Sequence, residues 1–561
     1  MLRQIVLVVV LVLIANSLAH SRKINDEDLI ITLHHGGKVR GEKKSIGLYS
    51  DKKYFSFKGI PYAEPPVGKL RFRSPQPHPG WTNILNATKH GNICVQLNKL
   101  QGSEDCLFLN VYTPSNLNPT KKYAVMFWIH GGAYVTGSGD SAKQGPEFLV
   151  NEDVIVVTIN YRLGFLGFFS TNDRSAQGNY GLKDCVEALK WVQNNIEAFG
   201  GDRNRVTIFG QSSGGGMVHY LLLSPMAKGL FHGAISQSGT ALNAWGFQPY
   251  PRTIAFEAAK LLNITFNSTE NLVDQLRDFK DPYEFAVIAE SMTNPDLFPG
   301  FIPYPFEPSV EPEDSDEPRF LPDTPLKILQ RGDFNKVPCI FGATNEEMLL
   351  VHDAQRKDPD FLLKYNNDSR LLLPDEWFIQ PNTEAADDIL NNIRKTYFND
   401  KTEINDIIEF RTFGADRVFL YSIYKTVEMH ARKQTAPVFF YIFSYDGSLN
   451  LDKKFQLLTE YDGAMHSDDM GYLWKNSKAP LIMPTDPARK VRKRMVKMWA
   501  NFSKYGHPTP NVTELISVEW PKVRNHQEFL EIGEELIPKI DPFSQRMAMW
   551  KEMDQKYNNA Q

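Results

Sequence analysis

The chain has 561 residues, of which 42% are hydrophobic and 23% are charged, and its formal net charge at neutral pH is −4. This composition is typical of a globular protein. The positive and negative charges nearly balance, which gives no reason to expect a nucleic-acid partner. Beyond the first twenty residues no run of about 18 apolar residues occurs, so we expect no membrane span.

The first residues have the layout of a secretory signal peptide. Arg3 supplies a positive charge, residues 5–15 form an unbroken apolar run, and Ser17 and Ala19 put small residues at the −3 and −1 positions of a cleavage site. The apolar run is too short to span a bilayer. We therefore predict that residues 1–19 are a signal peptide and that the mature protein is secreted; a buried first strand is the alternative.

Potential glycosylation sites and cysteines agree with an oxidising, extracellular location. Six asparagines begin Asn-x-Ser/Thr triplets that lack an intervening proline. They are Asn86, Asn263, Asn267, Asn367, Asn501 and Asn511. Of the four cysteines, Cys94 and Cys106 enclose a short loop and are the natural disulfide pair. Cys185 and Cys339 are interpreted as unpaired core thiols, with a bridge between them as the alternative.

After residue 100, patterns typical of buried strands alternate with helical patterns. Continuous apolar runs, which predict buried strands of a mostly parallel sheet, occur at residues 123–129, 154–159, 206–209 and 337–341. Residues 182–198 repeat apolar side chains on one helical face. The alternation predicts an α/β fold with helices on both faces of the sheet. The acidic, proline-rich stretch 308–318 is interpreted as a solvated loop within one catalytic domain, residues 20–561.

The most specific local motif is Gly210-Gln211-Ser212-Ser213-Gly214. It follows a predicted strand and precedes a predicted helix at residues 217–223, which is the context of a nucleophile elbow. Such a turn exposes the serine hydroxyl, and the helix that follows points its positive end at a developing oxyanion. The motif therefore predicts Ser212 as a nucleophile; a simple glycine-rich turn is the alternative.

A second glycine-rich segment, His130-Gly131-Gly132-Ala133, follows the strand predicted at residues 123–129. In α/β folds that carry a nucleophile elbow, such a loop supplies backbone N–H groups to the oxyanion. Gly131 and Gly132 have no Cβ to block the approach, and the N–H of Ser213 is the third expected donor. His130 is expected to order the loop rather than to move protons.

The base and the acid are expected after Ser212 in the chain, because folds with a nucleophile elbow have the chain order serine, acid, histidine. The downstream histidines are His219, His232, His352, His430, His466, His507 and His526. His466 is favoured because it lies in a loop of small and polar residues, 462–469. Glu346 and Glu347 both follow the strand predicted at 337–341, and the pattern alone does not choose between them.

These motifs resemble those of the type-B carboxylesterase and cholinesterase family, and most closely its secreted insect carboxylesterases. The resemblance runs from about residue 57 to about residue 510 and includes EDCLFLNVYTP at 104–114, a highly specific family signature. The family's Gly-x-x-x-x-Glu and Gly-x-x-His-x-Asp-Asp segments fall on Glu347 and His466. Met348 departs from the glycine that usually follows the acid. Ser238 resembles a serine that supports the triad.

The resemblance also bears on the disulfide and on the substrate. The family pairs the cysteines that match Cys94 and Cys106. The loop between them has no tryptophan, and Gln211 replaces the glutamate of cholinesterases, so a choline site is not expected. Trp245 resembles an acyl-pocket tryptophan of insect carboxylesterases, with a core tryptophan as the alternative. Juvenile hormone esterases share Gln211 but usually have alanine at Ser213 and glutamine at Cys185.

The resemblance implies a secreted serine esterase of the α/β-hydrolase fold that cleaves uncharged esters with short to medium acyl chains through an acyl-enzyme. No metal or cofactor is expected, and the partner is a small-molecule ester. A juvenile-hormone esterase is the alternative within the family, and a non-catalytic adhesion protein is the alternative outside the enzymes. The filled triad positions favour an enzyme. The sequence makes no prediction of oligomeric state.

Overall fold

A computed structural model describes residues 29–47, 50–96, 100–116, 121–293, 304–524 and 526–558. The predicted signal peptide, residues 1–19, lies outside these ranges. Within them, no helix combines the length and the apolar character needed to cross a membrane.

The chain builds one large sheet and one small sheet. The strands are β1 Ile30–Thr32, β2 Lys38–Arg40, β3 Glu42–Ser45, β4 Lys53–Pro61, β5 Ile84–Asn86, β6 Phe108–Pro114, β7 Tyr123–Ile129, β8 Ile155–Ile159, β9 Gly201–Gln211, β10 Gly233–Gln237, β11 Cys339–Thr344, β12 Val438–Phe443, β13 Phe529–Ile532 and β14 Leu536–Lys539. The large sheet has eleven strands in the order β14-β13-β12-β11-β10-β9-β7-β8-β6-β4-β3, and β1, β2 and β5 form the small sheet. Its centre, from β8 to β13, is parallel, and its edges are antiparallel.

Helices connect the strands and cover the large sheet. The α-helices are Glu147–Val150, Gly164–Phe168, Tyr180–Asn195, Ser213–Leu223, Pro251–Leu261, Thr269–Arg277, Tyr283–Ser291, Pro325–Arg331, Val351–Lys357, Phe361–Asn367, Glu384–Tyr397, Ile407–Ala415, Tyr421–Lys433, Leu451–Phe455, Ala488–Tyr505 and Ser544–Tyr557, and a π-helical turn, Asp416–Leu420, joins two of them. The predicted α/β fold with a mostly parallel sheet is confirmed.

Both faces of the central sheet are buried. Along β7, Phe127 and Ile129 belong to one hydrophobic core, whereas Met126 and Trp128 belong to the core on the opposite face. Because side chains alternate along a strand, a continuous apolar run is what a strand covered on both faces requires. This explains why the run at residues 123–129 predicts β7 with its true bounds.

The strand predicted at residues 337–341 is displaced in the structure to β11, which begins at Cys339 and ends at Thr344. Pro338 has no N–H to donate to a ladder, so the strand starts after it. Its end is set by pairing with β12, where Thr344 lies opposite Phe443. The acid-bearing segment therefore begins within the sheet rather than after it.

The interpretation of residues 308–318 as a solvated loop is wrong for its first part. Ser309 and Glu311 are buried. The carboxylate of Glu311 lies 3.0 Å from Lys183 Nζ and accepts a hydrogen bond from Asn179 Nδ2 at 2.8 Å. Pairing with a buried cation is what makes burial of this carboxylate tolerable, and no local pattern reveals such a partner.

The four cysteines are arranged as the sequence predicts. Cys94 and Cys106 form a disulfide bond, with their Cα atoms 4.9 Å apart. Cys185 and Cys339 are free and buried.

The potential glycosylation sites differ in exposure. Asn86, Asn263, Asn267, Asn367 and Asn511 are exposed. Asn501 lies in the helix Ala488–Tyr505, is 7% exposed, and donates from its Nδ2 to the carbonyl of Pro508 at 3.1 Å. The folded chain therefore encloses the Asn501 amide, which argues against a sugar at this one of the six predicted sites.

This difference is testable by substitution in protein secreted from a eukaryotic host. Asn501→Gln should leave the glycan mass unchanged, because the site is enclosed, whereas Asn511→Gln, ten residues away, should remove one glycan. Intact mass before and after glycosidase treatment measures both. A lower glycan mass in the Asn501→Gln protein would contradict the argument from burial.

Candidate active site

The predicted elbow is a sharp turn between β9 and the helix Ser213–Leu223, which we name the elbow helix. Ser212 has φ 60° and ψ −131°, a conformation that L-residues rarely adopt. Its N–H donates to the carbonyl of Gln237 at 2.8 Å, and its carbonyl accepts from the N–H of Gly216 at 3.0 Å. A Cβ on Gly239 would lie 2.2 Å from the carbonyl oxygen of Ser212, so a glycine is required where the chains approach.

His466 and Glu347 are brought together beside this turn. His466 Nδ1 lies 2.6 Å from Glu347 Oε2. Glu347 is fully buried, and its Oε1 accepts from Ser238 Oγ at 2.6 Å and from the N–H of Thr344 at 2.8 Å. Every oxygen of this buried carboxylate is therefore hydrogen-bonded, as burial of a charge requires.

The neighbouring glutamate points elsewhere. Glu346 Oε2 lies 3.0 Å from Arg411 Nε, and burial raises the pKa of Glu346. The geometry thus selects Glu347 as the partner of His466, a choice that the local pattern left open.

The loop around His466 has further contacts that the sequence did not reveal. Gln211 Nε2 lies 3.1 Å from His466 Nε2 and donates to Ser467 Oγ at 2.7 Å. On another side the ring of Phe419 is centred 4.7 Å from the imidazole. The imidazole is therefore held by Glu347, Gln211 and Phe419 together. Only the position of Gln211, directly before Ser212, could have pointed to its contact.

A second buried carboxylate, Asp469, lies behind the site. Its Oδ2 accepts from Gln237 Nε2 at 2.8 Å and from Tyr441 Oη at 2.9 Å. Its Oδ1 accepts no hydrogen bond within the described residues. Burial raises the pKa of Asp469 to about 6. Because Gln237 also accepts the N–H of Ser212, this group is linked to the elbow.

The glycine loop lies directly against the elbow. A Cβ on Gly131 would lie 2.4 Å from the carbonyl oxygen of Gln211 and 3.0 Å from the Cβ of Ser212. Gly132 has φ +119°, and the N–H of Tyr134 donates to Ser213 Oγ at 3.2 Å, which ties the loop to the elbow helix. Gly131 and Gly132 donate from their amides to no acceptor in the described ranges.

His130 is built into this loop as a structural group. It is buried, its ring stacks on Tyr161 with centroids 4.3 Å apart, and its carbonyl accepts from Tyr161 Oη at 2.7 Å. Its Nδ1 lies 2.9 Å from the carbonyl oxygen of Gly131. Burial lowers the pKa of His130 to about 4, so the ring is neutral near pH 7 and orders the loop.

Trp245 is both buried and adjacent to the elbow. Its Nε1 donates to the carbonyl of Val418 at 2.9 Å, and its ring centroid lies 5.6 Å from that of Phe419. A Cβ on Gly239 would lie 2.9 Å from the edge of the indole. The indole thus belongs to the core and lies close to the backbone of the elbow.

The other helical histidines are engaged elsewhere. His219 Nε2 lies 3.0 Å from His430 Nε2, and its Nδ1 accepts from the N–H of Ala241 at 2.9 Å. His352 stacks on Tyr461.

An elbow at the carboxyl end of a central strand of a parallel sheet is the defining feature of the α/β-hydrolases, and the chain has this fold. The model of the carboxylesterase family matches residues 27–550. The chain therefore belongs to the carboxylesterase family, and it is a carboxylic ester hydrolase.

Individual relatives are similar to this chain over most of their length. The juvenile hormone esterase of Tribolium castaneum is 39% identical over 484 residues, which cover 82% of this chain and 81% of the relative. Esterase FE4 of Myzus persicae is 36% identical, and the matched residues cover 86% of this chain and 85% of that relative. The crystal structure of juvenile hormone esterase from Manduca sexta, with OTFP covalently attached, matches with a TM-score of 0.84 at 29% identity, over 95% of this chain and 100% of that chain.

The buried Asp469 predicts a pH-dependent stability difference. Its pKa is about 6 in the folded protein against the ordinary 3.8, so the folded state binds its proton more tightly than the unfolded state. This stabilising effect is present below pH 3.8 and is lost as the pH rises through about 6. Asp469→Asn keeps an acceptor for Gln237 and Tyr441 without a titrating charge. Its Tm relative to wild type should therefore rise between pH 4 and 6 and level off above.

Asp353→Asn is the control for this measurement. Lys357 lowers the pKa of Asp353, so wild type gains stability as the pH rises through 3.8; the Tm of Asp353→Asn relative to wild type should therefore fall slightly just above pH 4 and be flat from about pH 5. Thermal unfolding at several pH values compares the three proteins. A flat difference for Asp469→Asn would contradict the stated protonation of Asp469.

Proposed function

We propose that this ester hydrolase acts on uncharged carboxylic esters with short to medium acyl chains, through an acyl-enzyme on Ser212. The observation that carries the proposal is the 2.6 Å contact between His466 Nδ1 and Glu347, beside a serine held on a strained elbow. A nucleophile, a base and a group that orients the base are the parts that acyl transfer by serine requires.

The proposed reaction has two steps. The hydroxyl of Ser212 attacks the ester carbonyl while His466 Nε2 takes its proton, and the imidazolium then gives that proton to the leaving alcohol. Water, activated by His466 in the same way, cleaves the acyl-enzyme and releases the acid. Glu347 fixes the Nδ1–H tautomer and stabilises the imidazolium.

The oxyanion is assigned to the backbone N–H groups of Gly131, Gly132 and Ser213. Gly131 and Gly132 have amides without an acceptor in the described residues, and both lie against the elbow. Ser213 is the first residue of the elbow helix, so its N–H is one of those that a helix leaves unpaired. Removing one such donor typically slows acyl transfer by about 10² or more.

Charge and surface favour an uncharged substrate. A quaternary ammonium needs an aromatic face or a negative charge. Residues 95–105 contain no aromatic side chain, and Gln211, next to the nucleophile, is neutral.

Hydrolysis of a juvenile-hormone ester is the second candidate, favoured by the names of the relatives in Tribolium castaneum and Manduca sexta. Ser213 and Cys185 depart from the residues usual in those enzymes.

We further propose a secreted protein in which residues 1–19 are removed and residues 20–561 form one domain. The signal-like first residues, the Cys94–Cys106 bridge and the exposed Asn-x-Ser/Thr sites support secretion.

The triad is tested by three substitutions and one control. Ser212→Ala, His466→Ala and Glu347→Gln should each lower kcat for naphthyl acetate, with the first two losing about 10⁶-fold and their combination losing little more, because the residues act as a unit. Glu346→Gln, which removes a charge from the adjacent position, should retain near wild-type turnover. Loss of activity in Glu346→Gln with retention in Glu347→Gln would reverse the assignment of the acid.

Substrate class is tested by comparing kcat/KM for naphthyl acetate, naphthyl butyrate, acetylcholine and a juvenile hormone. We expect acetylcholine to be the poorest of the four, because its cation finds neither an aromatic surface in residues 95–105 nor a charge at Gln211. Acetylcholine as the best substrate would refute the proposed preference. A juvenile hormone as the best substrate would favour the second candidate.

A further inference from the structure

The long helical segment from Ile407 to Lys433 contains a π-helical turn, Asp416–Leu420, which we name the π-turn. Such turns insert a residue into a helix, change the direction of the side chains that follow, and often lie at functional sites. This π-turn lies opposite the elbow, because its residues contact both Trp245 and His466.

The inner side of the π-turn is held by the loop that follows β10. The carbonyl of Val418 accepts two hydrogen bonds from outside its helix, from Asn243 Nδ2 at 2.8 Å and from Trp245 Nε1 at 2.9 Å. The next residue, Phe419, is fully buried, with its ring 5.6 Å from Trp245 and 4.7 Å from His466. One short turn thus fixes the indole through a carbonyl and places a phenyl ring against the imidazole.

Asn243 is suited to this position by its two kinds of polar atom. Its Oδ1 accepts from the N–H of Thr240 at 2.7 Å and from Thr240 Oγ1 at 2.9 Å. Its Nδ2 donates to the carbonyls of Val418 and Phe419. An aspartate would keep the first pair of contacts but would present an acceptor to two carbonyls, which repels.

The outer side of the π-turn is held by the C-terminal helix, Ser544–Tyr557. Asp416, the first residue of the turn, is fully buried and accepts from Arg546 Nε at 2.6 Å and Arg546 Nη2 at 3.1 Å. Tyr397 Oη donates to the same carboxylate at 2.6 Å. A bidentate arginine fixes a carboxylate in direction as well as in place.

We propose that the π-turn is the element that sets acyl-chain selectivity, and that Asn243 and the Asp416–Arg546 pair are positioning residues that fix Trp245 and Phe419 relative to His466. The inference rests on the proposed acyl-enzyme at Ser212, and it takes the acyl group to lie beside Trp245 because Gly239 approaches both that indole and the carbonyl of Ser212. It also extends the determinants of selectivity to the C-terminal helix, because Arg546 reaches the π-turn through Asp416.

The outer anchor is tested with a matched pair of substitutions in the C-terminal helix. Arg546→Met removes the partner of Asp416, whereas Lys551→Met removes an ion pair to Glu428 that joins the same two helical segments after the π-turn. The readout is the ratio of kcat/KM for naphthyl butyrate to that for naphthyl acetate. We expect the ratio to change about threefold or more in Arg546→Met, because shifts well below 1 Å at a reacting centre alter rates measurably, and to stay at the wild-type value in Lys551→Met.

The inner anchor is tested with one nearly isosteric variant, Asn243→Asp, and one smaller aromatic variant, Trp245→Phe. Trp245→Phe removes the N–H that meets Val418 while it retains an aromatic ring, and Asn243→Asp reverses the contact with the same carbonyl. Both should change the acyl ratio in the folded protein, with Tm measured alongside. If Arg546→Met does not fold, Arg546→Lys, which keeps the charge but loses the bidentate contact, takes its place.

The outcomes separate the inference from the function on which it rests. A wild-type enzyme that turns over neither naphthyl ester contradicts the proposed function. Turnover of both esters, with an unchanged acyl ratio in the Arg546, Asn243 and Trp245 variants, overturns only the role of the π-turn, whatever their Tm values. An equal change of the ratio in Lys551→Met also overturns it, because loosening of the C-terminal helix would then suffice.

Discussion

A carboxylate can be fully buried only when hydrogen bonds replace its water, and Glu347 meets this condition with groups from three parts of the chain. His466 lies in a loop, Ser238 directly follows β10, and the N–H is that of Thr344, the last residue of β11. Since β9, β10 and β11 are adjacent and parallel, their carboxyl ends meet at one edge of the sheet. Satisfying this single buried charge therefore brings the base to the strand that carries Ser212.

The elbow depends on the same strand order. A residue held in a disfavoured backbone region costs about 1–3 kcal/mol and persists only where its surroundings fix it. For Ser212 the fixing group is Gln237, whose carbonyl accepts its N–H and whose side chain is held by Asp469 and Trp499. The hydrogen bonds that hold the Gln237 side chain therefore also help to hold the strained backbone of Ser212.

The parts of the molecule that were predictable from sequence are those that depend on local pattern. Apolar runs revealed the parallel strands because both faces of the sheet are covered, and the elbow motif spans only a few residues. Contacts between distant segments left no such trace. Neither the partner of Glu311, nor the enclosure of Asn501, nor the pairing of Glu346 with Arg411 can be inferred without the fold. The π-turn contains neither glycine nor proline, and it is set by what Val418 and Asp416 contact.

On the proposed mechanism, reactivity and acyl selectivity rest on different parts of this fold. Ser212 and the glycine loop are fixed by backbone contacts at the centre of the sheet, where a Cβ on Gly131, Gly132 or Gly239 would meet backbone atoms within 2.4 Å. Phe419 and Trp245 are fixed by side-chain hydrogen bonds from the loop that follows β10 to the π-turn, which joins two helices outside the sheet. A change in those helices can alter which acid fits without moving the groups that break the ester bond. If the π-turn sets selectivity as we propose, one hydrolytic fold can serve several esters because the walls of the site change while its reacting centre stays fixed.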